Sequence, residues 1–214
     1  MLFVYFKSPF GAFRIHQSIE TPITADFLTH SAAYGLLLGL AGIERERKDD
    51  FKDARIAIGV LSEKLPKHET VYQQLHLATK EVEAPFMKNA RPVVREFLIG
   101  LEGYIGLNHH ELEPLVTKGI DEPHSLHCWG IPFMGDNNFF VERIRVEEPQ
   151  PCRWFCQFED NKSSQGERLH YLSVWTDYED SANSKGLLFA LKDGEMTDGK
   201  HQPPDKAWVS ITGS

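Results

Sequence analysis

Between residues 64 and 95 the chain carries Lys64, Lys67, Lys80, Lys88, Arg91 and Arg95 against Glu69, Glu81 and Glu83. Such a strip suits phosphate oxygens, while Tyr72 and Gln73 beside it offer contacts to bases or sugars. A second anion site is predicted where Thr29-His30-Ser31 opens an apolar run. The first turn of a helix leaves backbone N–H groups free, and Ser31 to Gly35 presents them. The chain as a whole is nevertheless acidic, with 23 Lys plus Arg against 31 Asp plus Glu, a net charge of −8. All of that excess lies in residues 111–214, whereas residues 1–110 balance at 13 basic and 13 acidic. Free-standing nucleic-acid binders are usually basic, because phosphate neutralisation supplies most of their affinity. This chain lacks that balance, so any contact with nucleic acid is expected through a local strip, inside a larger assembly.

Other chemistries find less support. His124, His127 and Cys128, with Cys152 and Cys156, supply enough nitrogen and sulfur for zinc. Cys152 to Cys156 reads as a strand, however, and residues four apart on a strand lie about 13 Å from each other, too far to chelate. No metal or other cofactor is expected. There is no G-x-S-x-G, no H-E-x-x-H, no phosphate-binding glycine loop and no telling carboxylate pair, so no catalytic residues are assigned. Three cysteines are too few for a disulfide framework. The longest nearly apolar stretch, residues 31–43, is too short to span a bilayer, and residues 1–10 lack a secretory pattern. A cytoplasmic protein with no membrane partner is the expectation.

The elements that must position these residues follow from periodicity. Residues 2–6 (LFVYF) read as a buried strand, with Phe13-Arg14-Ile15 as a short extension or second strand. Ala32 to Ile43 is helical and apolar on nearly every face, hence buried, and residues 44–50 form a solvated charged turn. Residues 54–61 alternate as a strand with Arg55 facing solvent. Residues 71–77 and 92–99 are strand-like arms joined by a polar connection, a long hairpin over about 62–92 that bears the basic strip. A short helix is predicted at 109–117, followed by strands at 139–146, 153–158 and 170–176 in an acidic, β-rich part from about residue 120. No linker divides residues 1–214, which read as one α+β domain with helices on one face of an antiparallel sheet.

Three segments carry a family resemblance. Phe13-Arg14 leads through Thr21-Pro22-Ile23-Thr24 into the Gly-Leu-Leu-Leu-Gly helix that opens at Ser31. Asn89-Ala90-Arg91-Pro92-Val93-Val94-Arg95-Glu96-Phe97-Leu98 is the second, and Ile131-Pro132-Phe133-Met134-Gly135-Asp136-Asn137-Asn138-Phe139-Phe140 the third. Together they resemble the fifth CRISPR-associated (Cas-five) subunit of the RAMP superfamily, in its DevS-like branch, over roughly residues 3–190. The resemblance implies an RNA-recognition-like (ferredoxin-like) core with an inserted β-hairpin thumb and a β-rich C-terminal extension. It implies a non-catalytic subunit of a type I Cascade complex that binds the 5′ handle of the guide RNA (crRNA) and caps the filament of backbone subunits. The large subunit would dock alongside, and target DNA would be met through the complex. Lys7, Arg14, Ser31, Lys67, Gln73, Lys80, Lys88, Arg91 and Arg95 are the expected RNA contacts. One subtype of that family cleaves the guide precursor without metal, for which Lys7, His16 and Tyr34 are the candidate trio here. The other alternative is a ferredoxin-like protein–protein adaptor that binds no RNA.

Overall fold

Strand β1, Leu2–Gly11, lies inside the main sheet and sends alternate side chains to opposite faces. Val4 and Phe6 enter one cluster of buried residues, Phe3 and Tyr5 another. The computed structural model describes residues 1–15, 23–76, 90–126, 130–158, 168–177, 180–197 and 199–211. The strand runs further than the expected 2–6, through Ser8-Pro9. Lys7 accepts from the Glu142 N–H on the β5 side (β5, Arg143–Val146). Pro9, two residues on, turns its missing N–H the same way, where the β5 ladder has already ended at Lys7.

After β1 come helix α1 (His30–Leu40), a 3-10 turn (Arg45–Phe51) and strand β2 (Arg55–Val60). Thr29 caps α1 by accepting from the Ala32 N–H at 3.2 Å. The helix ends at Leu40, short of the expected Ile43, because Gly42 takes a φ of 70°. The Ile43 N–H then bonds the Leu38 carbonyl at 2.9 Å, closing a Schellman turn. Next, β3 (Lys67–His76) pairs antiparallel with the first half of β4 (Ala90–Asn108), and the residues 77–89 between them lie outside the described set. The second half of β4 pairs with β1 on one side and β2 on the other. Sequence alone ends this strand at Ile99, since Gly100, Gly103 and Gly106 look like breakers. Gly100 does take a φ of 78°, but Gly103 is needed for close approach: a Cβ there would stand 2.0 Å from the Gly59 carbonyl oxygen.

Helix α2 (Leu112–Asp121) connects β4 to β5, and the four central strands lie in the order β5-β1-β4-β2. Both helices cover one face of them, with Leu37, Leu40, Leu112 and Val116 packed among Val4, Phe6, Ile58 and Ile105. The sheet continues beyond β2 through β6 (Arg153–Gln157), β8 (Lys185–Asp193) and β7 (Leu169–Trp175), all antiparallel. Strand β8 escapes the sequence reading: Leu187 to Leu191 is continuously apolar and gives no period-2 signal. A small ladder of β9 (Glu195–Thr197) with β10 (Lys200–Gln202) follows, and β11 (Val209–Ser210) returns to pair with β2. The far face of the central sheet is covered at one end by Ala207 and Trp208, which pack on Phe3 and Trp154.

Gly35 and Gly39 lie one turn apart on α1, and a Cβ at either would meet nothing within 4 Å. Glycine costs a helix interior about 1 kcal/mol relative to alanine. Thermal melts of the isolated chain should therefore show Gly35→Ala/Gly39→Ala to be more stable than wild type, by about 1–2 kcal/mol. A lower melting point would mean that these positions are constrained within the chain itself.

Candidate nucleic-acid interface

The three segments that carry the family resemblance meet in space. Arg14 and Thr24 form a bridge in which the Phe13 N–H donates to Thr24 Oγ1 at 2.7 Å and the Ala25 N–H to the Phe13 carbonyl at 2.8 Å. Glu96 of β4 accepts the Thr24 N–H at 2.8 Å. Arg95, its neighbour, pairs with Asp136 and stacks 5.6 Å over the Phe139 ring. The Ala12 N–H reaches the Met134 carbonyl at 3.1 Å, and Gly135, at φ 74°, packs against the Ala12 carbonyl where any Cβ would collide. Asp136 in turn holds the Asn138 N–H and side-chain amide, each at 2.8 Å.

This geometry divides the predicted contacts. Arg95 is largely enclosed, and burial followed by the nearby Arg14 charge lowers its pKa. Its guanidinium is committed to Asp136, which gives it a bracing role that the spacing of Arg91 and Arg95 does not disclose. Arg95→Ala should cost about 2–3 kcal/mol, since it strands a mostly buried carboxylate, and the loss would be read in a denaturant melt. Arg14 is exposed. Lys67 is exposed on β3 and pairs with Glu69. Gln73 and Arg91 occupy the β3–β4 ladder opposite Val93 and Leu75, with side chains outside the described set. Lys80 and Lys88 lie outside the described residues altogether. Ser31 donates to Thr176 Oγ1 at 3.0 Å and lines a groove of about 390 Å³ with Ile131, Phe133 and Trp175. Thr29 already satisfies the Ala32 and Ala33 N–H groups beside it.

Lys7 shares the parity of Phe3 and Tyr5, so it stands on the face away from the helices. Two arginines that sequence reading passed over join it there. Arg143 lies directly opposite Lys7 and Arg145 opposite Tyr5 on β5. Their signal was present in the alternation Arg143-Ile144-Arg145-Val146, whose apolar members face the core side. Arg145 sits 4.7 Å over the Tyr5 ring and pairs with Glu147 at 2.6 Å. Tyr5 donates to Glu102 at 2.5 Å and Tyr104 to Glu147 at 3.1 Å. Burial first, then those carboxylates, push both phenols up to about 12, so they remain neutral donors. The result is a shelf where Lys7 and Arg143 project beside a locked tyrosine pair.

Of the candidate cleavage trio, Tyr34 is buried on the helix side, its hydroxyl given to the Lys48 carbonyl. Lys7 is on the opposite face, and His16 lies outside the described residues. Among the described residues no group of three or more His, Cys, Asp or Glu is placed to hold a metal ion. His127 and Cys128 lie outside them. Burial pushes the Cys152 and Cys156 thiols up to about 12 and about 11, which disfavours the free thiolate that nucleophilic chemistry requires. No helix among the described residues is long and apolar enough to cross a membrane.

The fold is similar to that of a chain in a "CRISPR RNA-guided surveillance complex", with a TM-score of 0.55 and 14% identity over 96% of this chain and 92% of the other. A second chain, from "Crystal structure of Cas protein", aligns at a TM-score of 0.47 and 12% identity over 96% of both. At these identities the likeness is one of fold: a strand-rich antiparallel sheet with few helices. No family model and no curated protein sequence matches the chain.

Proposed function

We propose that the chain is a non-catalytic subunit of a type I CRISPR surveillance complex, of the Cas-five kind, which grips the 5′ handle of the guide RNA and caps the backbone filament. The observation that carries this reading is the fold likeness to a chain of an RNA-guided surveillance complex, which extends over nearly all of both chains. The order β5-β1-β4-β2, with α1 and α2 as the two crossovers, supports a ferredoxin-like core of the RNA-recognition type. In this reading the β3–β4 ladder is the thumb. Before Leu98, β4 has β3 as its only partner strand among the described residues, as a projecting arm requires. Arg14, Lys67, Gln73 and Arg91 on or beside the β3–β4 ladder, Lys7 and Arg143 on the sheet shelf, and Lys80 and Lys88, which lie outside the described residues, meet the RNA backbone. Arg95 of the second segment holds the third through Asp136. The backbone subunits and the large subunit are the protein partners, and target DNA is reached through the complex.

The test is co-expression with the neighbouring genes and a repeat–spacer array, purification through this chain, and sequencing of the RNA that follows it. A uniform repeat-derived 5′ end, recovered with backbone subunits, is the expected result. Neither RNA nor backbone subunits in the eluate would replace the reading with a protein–protein adaptor. Trimming of the repeat transcript by the isolated chain would make it a ribonuclease.

A further inference from the structure

A cleft of about 500 Å³ opens between the foot of β3 and the outer strands β6, β8 and β7. Its volume falls in the range of roughly 300–1,000 Å³ usual for small-ligand sites. Lys64, Arg153 and Arg168 stand along it, and Leu65, Pro66 and Leu191 form an apolar wall. We propose that this cleft holds one nucleotide of a single-stranded RNA, the phosphate toward Lys64 and Arg168 and the base or sugar along the apolar wall. The inference rests on the RNA-binding reading above and adds a contact site that neither the thumb nor the β5 shelf contains.

Two carboxylates also line the cleft, and each is accounted for. Asp26 is saturated: His170 Nδ1 lies 2.6 Å from one oxygen and His68 Nε2 3.0 Å from the other. Arg168 Nη2 is 3.3 Å from both. The hydrogen bond from His170 is the main cause that holds the Asp26 carboxyl below its ordinary range, so it stays an ionised anchor. His68 spends its other nitrogen on Glu96 at 3.1 Å, tying the floor of the cleft to the Thr24 bridge. Glu63 is exposed at the rim, and its carbonyl, with that of Ser62, receives Arg153 Nη2 at 2.5 and 3.3 Å. Arg153 thereby pins residues 62–63, just ahead of exposed Lys64. Arg168 touches Asp26 through a single nitrogen, and its side chain is largely exposed. Single-strand binders pair cations for the backbone with a surface for the bases, usually aromatic; here the wall is aliphatic and offers van der Waals contact to one base or sugar without stacking. A bare phosphate site would have no use for Leu65, Pro66 and Leu191.

The experiment titrates the full chain with a labelled single-stranded RNA bearing the repeat-derived handle, at several salt concentrations, with 4-thiouridine in the RNA for crosslinking. Lys64→Gln/Arg168→Gln is expected to weaken binding about tenfold and to lower the slope of log affinity against log salt by about 1.4, two contacts at about 0.7 each. Crosslinks to residues 63–68 and 168–170, expected in wild type, should disappear. Lys64→Gln alone leaves the Asp26 cluster intact and should lower the slope by about 0.7, which separates lost contact from lost folding. Wild type that binds RNA without crosslinks there, and a double variant with an unchanged slope, would overturn the cleft proposal and leave the RNA-binding reading standing. Wild type that binds no RNA at any salt overturns the cleft proposal alone, and the surveillance-complex reading is overturned separately, by a purification through the chain that brings neither RNA nor backbone subunits.

Discussion

Gly119→Ala is expected to destabilise the chain by about 3 kcal/mol, lowering its melting temperature by roughly 6–12 °C. Gly119 lies near the end of α2, where that helix rests directly on the last turn of α1. A Cβ placed there would stand 1.7 Å from the Leu40 carbonyl oxygen and 2.7 Å from its carbon. Both obstacles are backbone, so no rotamer change relieves them and the helices must separate. Separation is costly because Leu40, Leu112 and Val116 are fully buried in the layer the two helices share against the sheet. The chain passes from α2 to β5, the outer strand beside β1. Loss of stability together with loss of RNA binding is thus the expected pair of phenotypes. A Gly119→Ala protein that melts at the wild-type temperature would show that the helix crossing is not set by this contact. Gly35→Ala/Gly39→Ala, with the opposite expected sign on the same pair of helices, is the internal control.

How much of this was legible beforehand depends on the signal each element leaves. A helix start within Thr29-His30-Ser31, the buried apolar helix and the exposed Arg55 at the start of β2 were readable, because capping chemistry and periodicity are local. The cap itself is Thr29, and the helix begins two residues before the expected Ala32. Strand β4 was only half readable. Its glycines look like breakers in one dimension, and only the crossing of Gly103 over Gly59 gives them a reason. Strand β8 left no trace because an unbroken apolar run fits a helix as well as a strand. The site divided along the same line. The three segments that carry the resemblance were found from residue order, yet that they interlock through Thr24–Glu96 and Arg95–Asp136 is a long-range fact no spacing carries. Arg95 shows the consequence: from sequence it is one more cation in a basic strip, and in the fold it braces a loop. Arg143 was visible in the alternation of β5 but could not be connected to Lys7 without the strand order β5-β1.

Reversing two charges on the sheet shelf, Lys7→Glu/Arg143→Glu, is expected to weaken binding of the handle RNA by at least about a hundredfold at physiological salt, with some loss of stability because Lys7→Glu faces Glu102 on β4. Lys7 and Arg143 are directly opposed on adjacent strands, and like charges in that position are unfavourable within the chain. Glu102 stands opposite Lys7 on the other side, in β4, and moderates the pair, whereas Arg143 is exposed on the outer strand β5 and is available to an anion from outside. The shelf is rigid where it matters: Tyr5 and Tyr104 are locked to Glu102 and Glu147, and Arg145 is held over Tyr5, so the two projecting cations stand on a fixed floor. The neutral variant Lys7→Gln/Arg143→Gln separates attraction from repulsion. It should lower the salt slope by about 1.4, the amount for two phosphate contacts on a single strand, while the reversed pair loses further affinity through repulsion. An unchanged slope in the neutral variant would remove the shelf from the interface and leave the thumb and the cleft to carry the RNA. A reduced slope with unaltered stability would place the guide on the helix-free face of the sheet. The acidic second half of the chain would then frame the RNA path rather than oppose it, since β5 is the one strand of that half that lies beside β1.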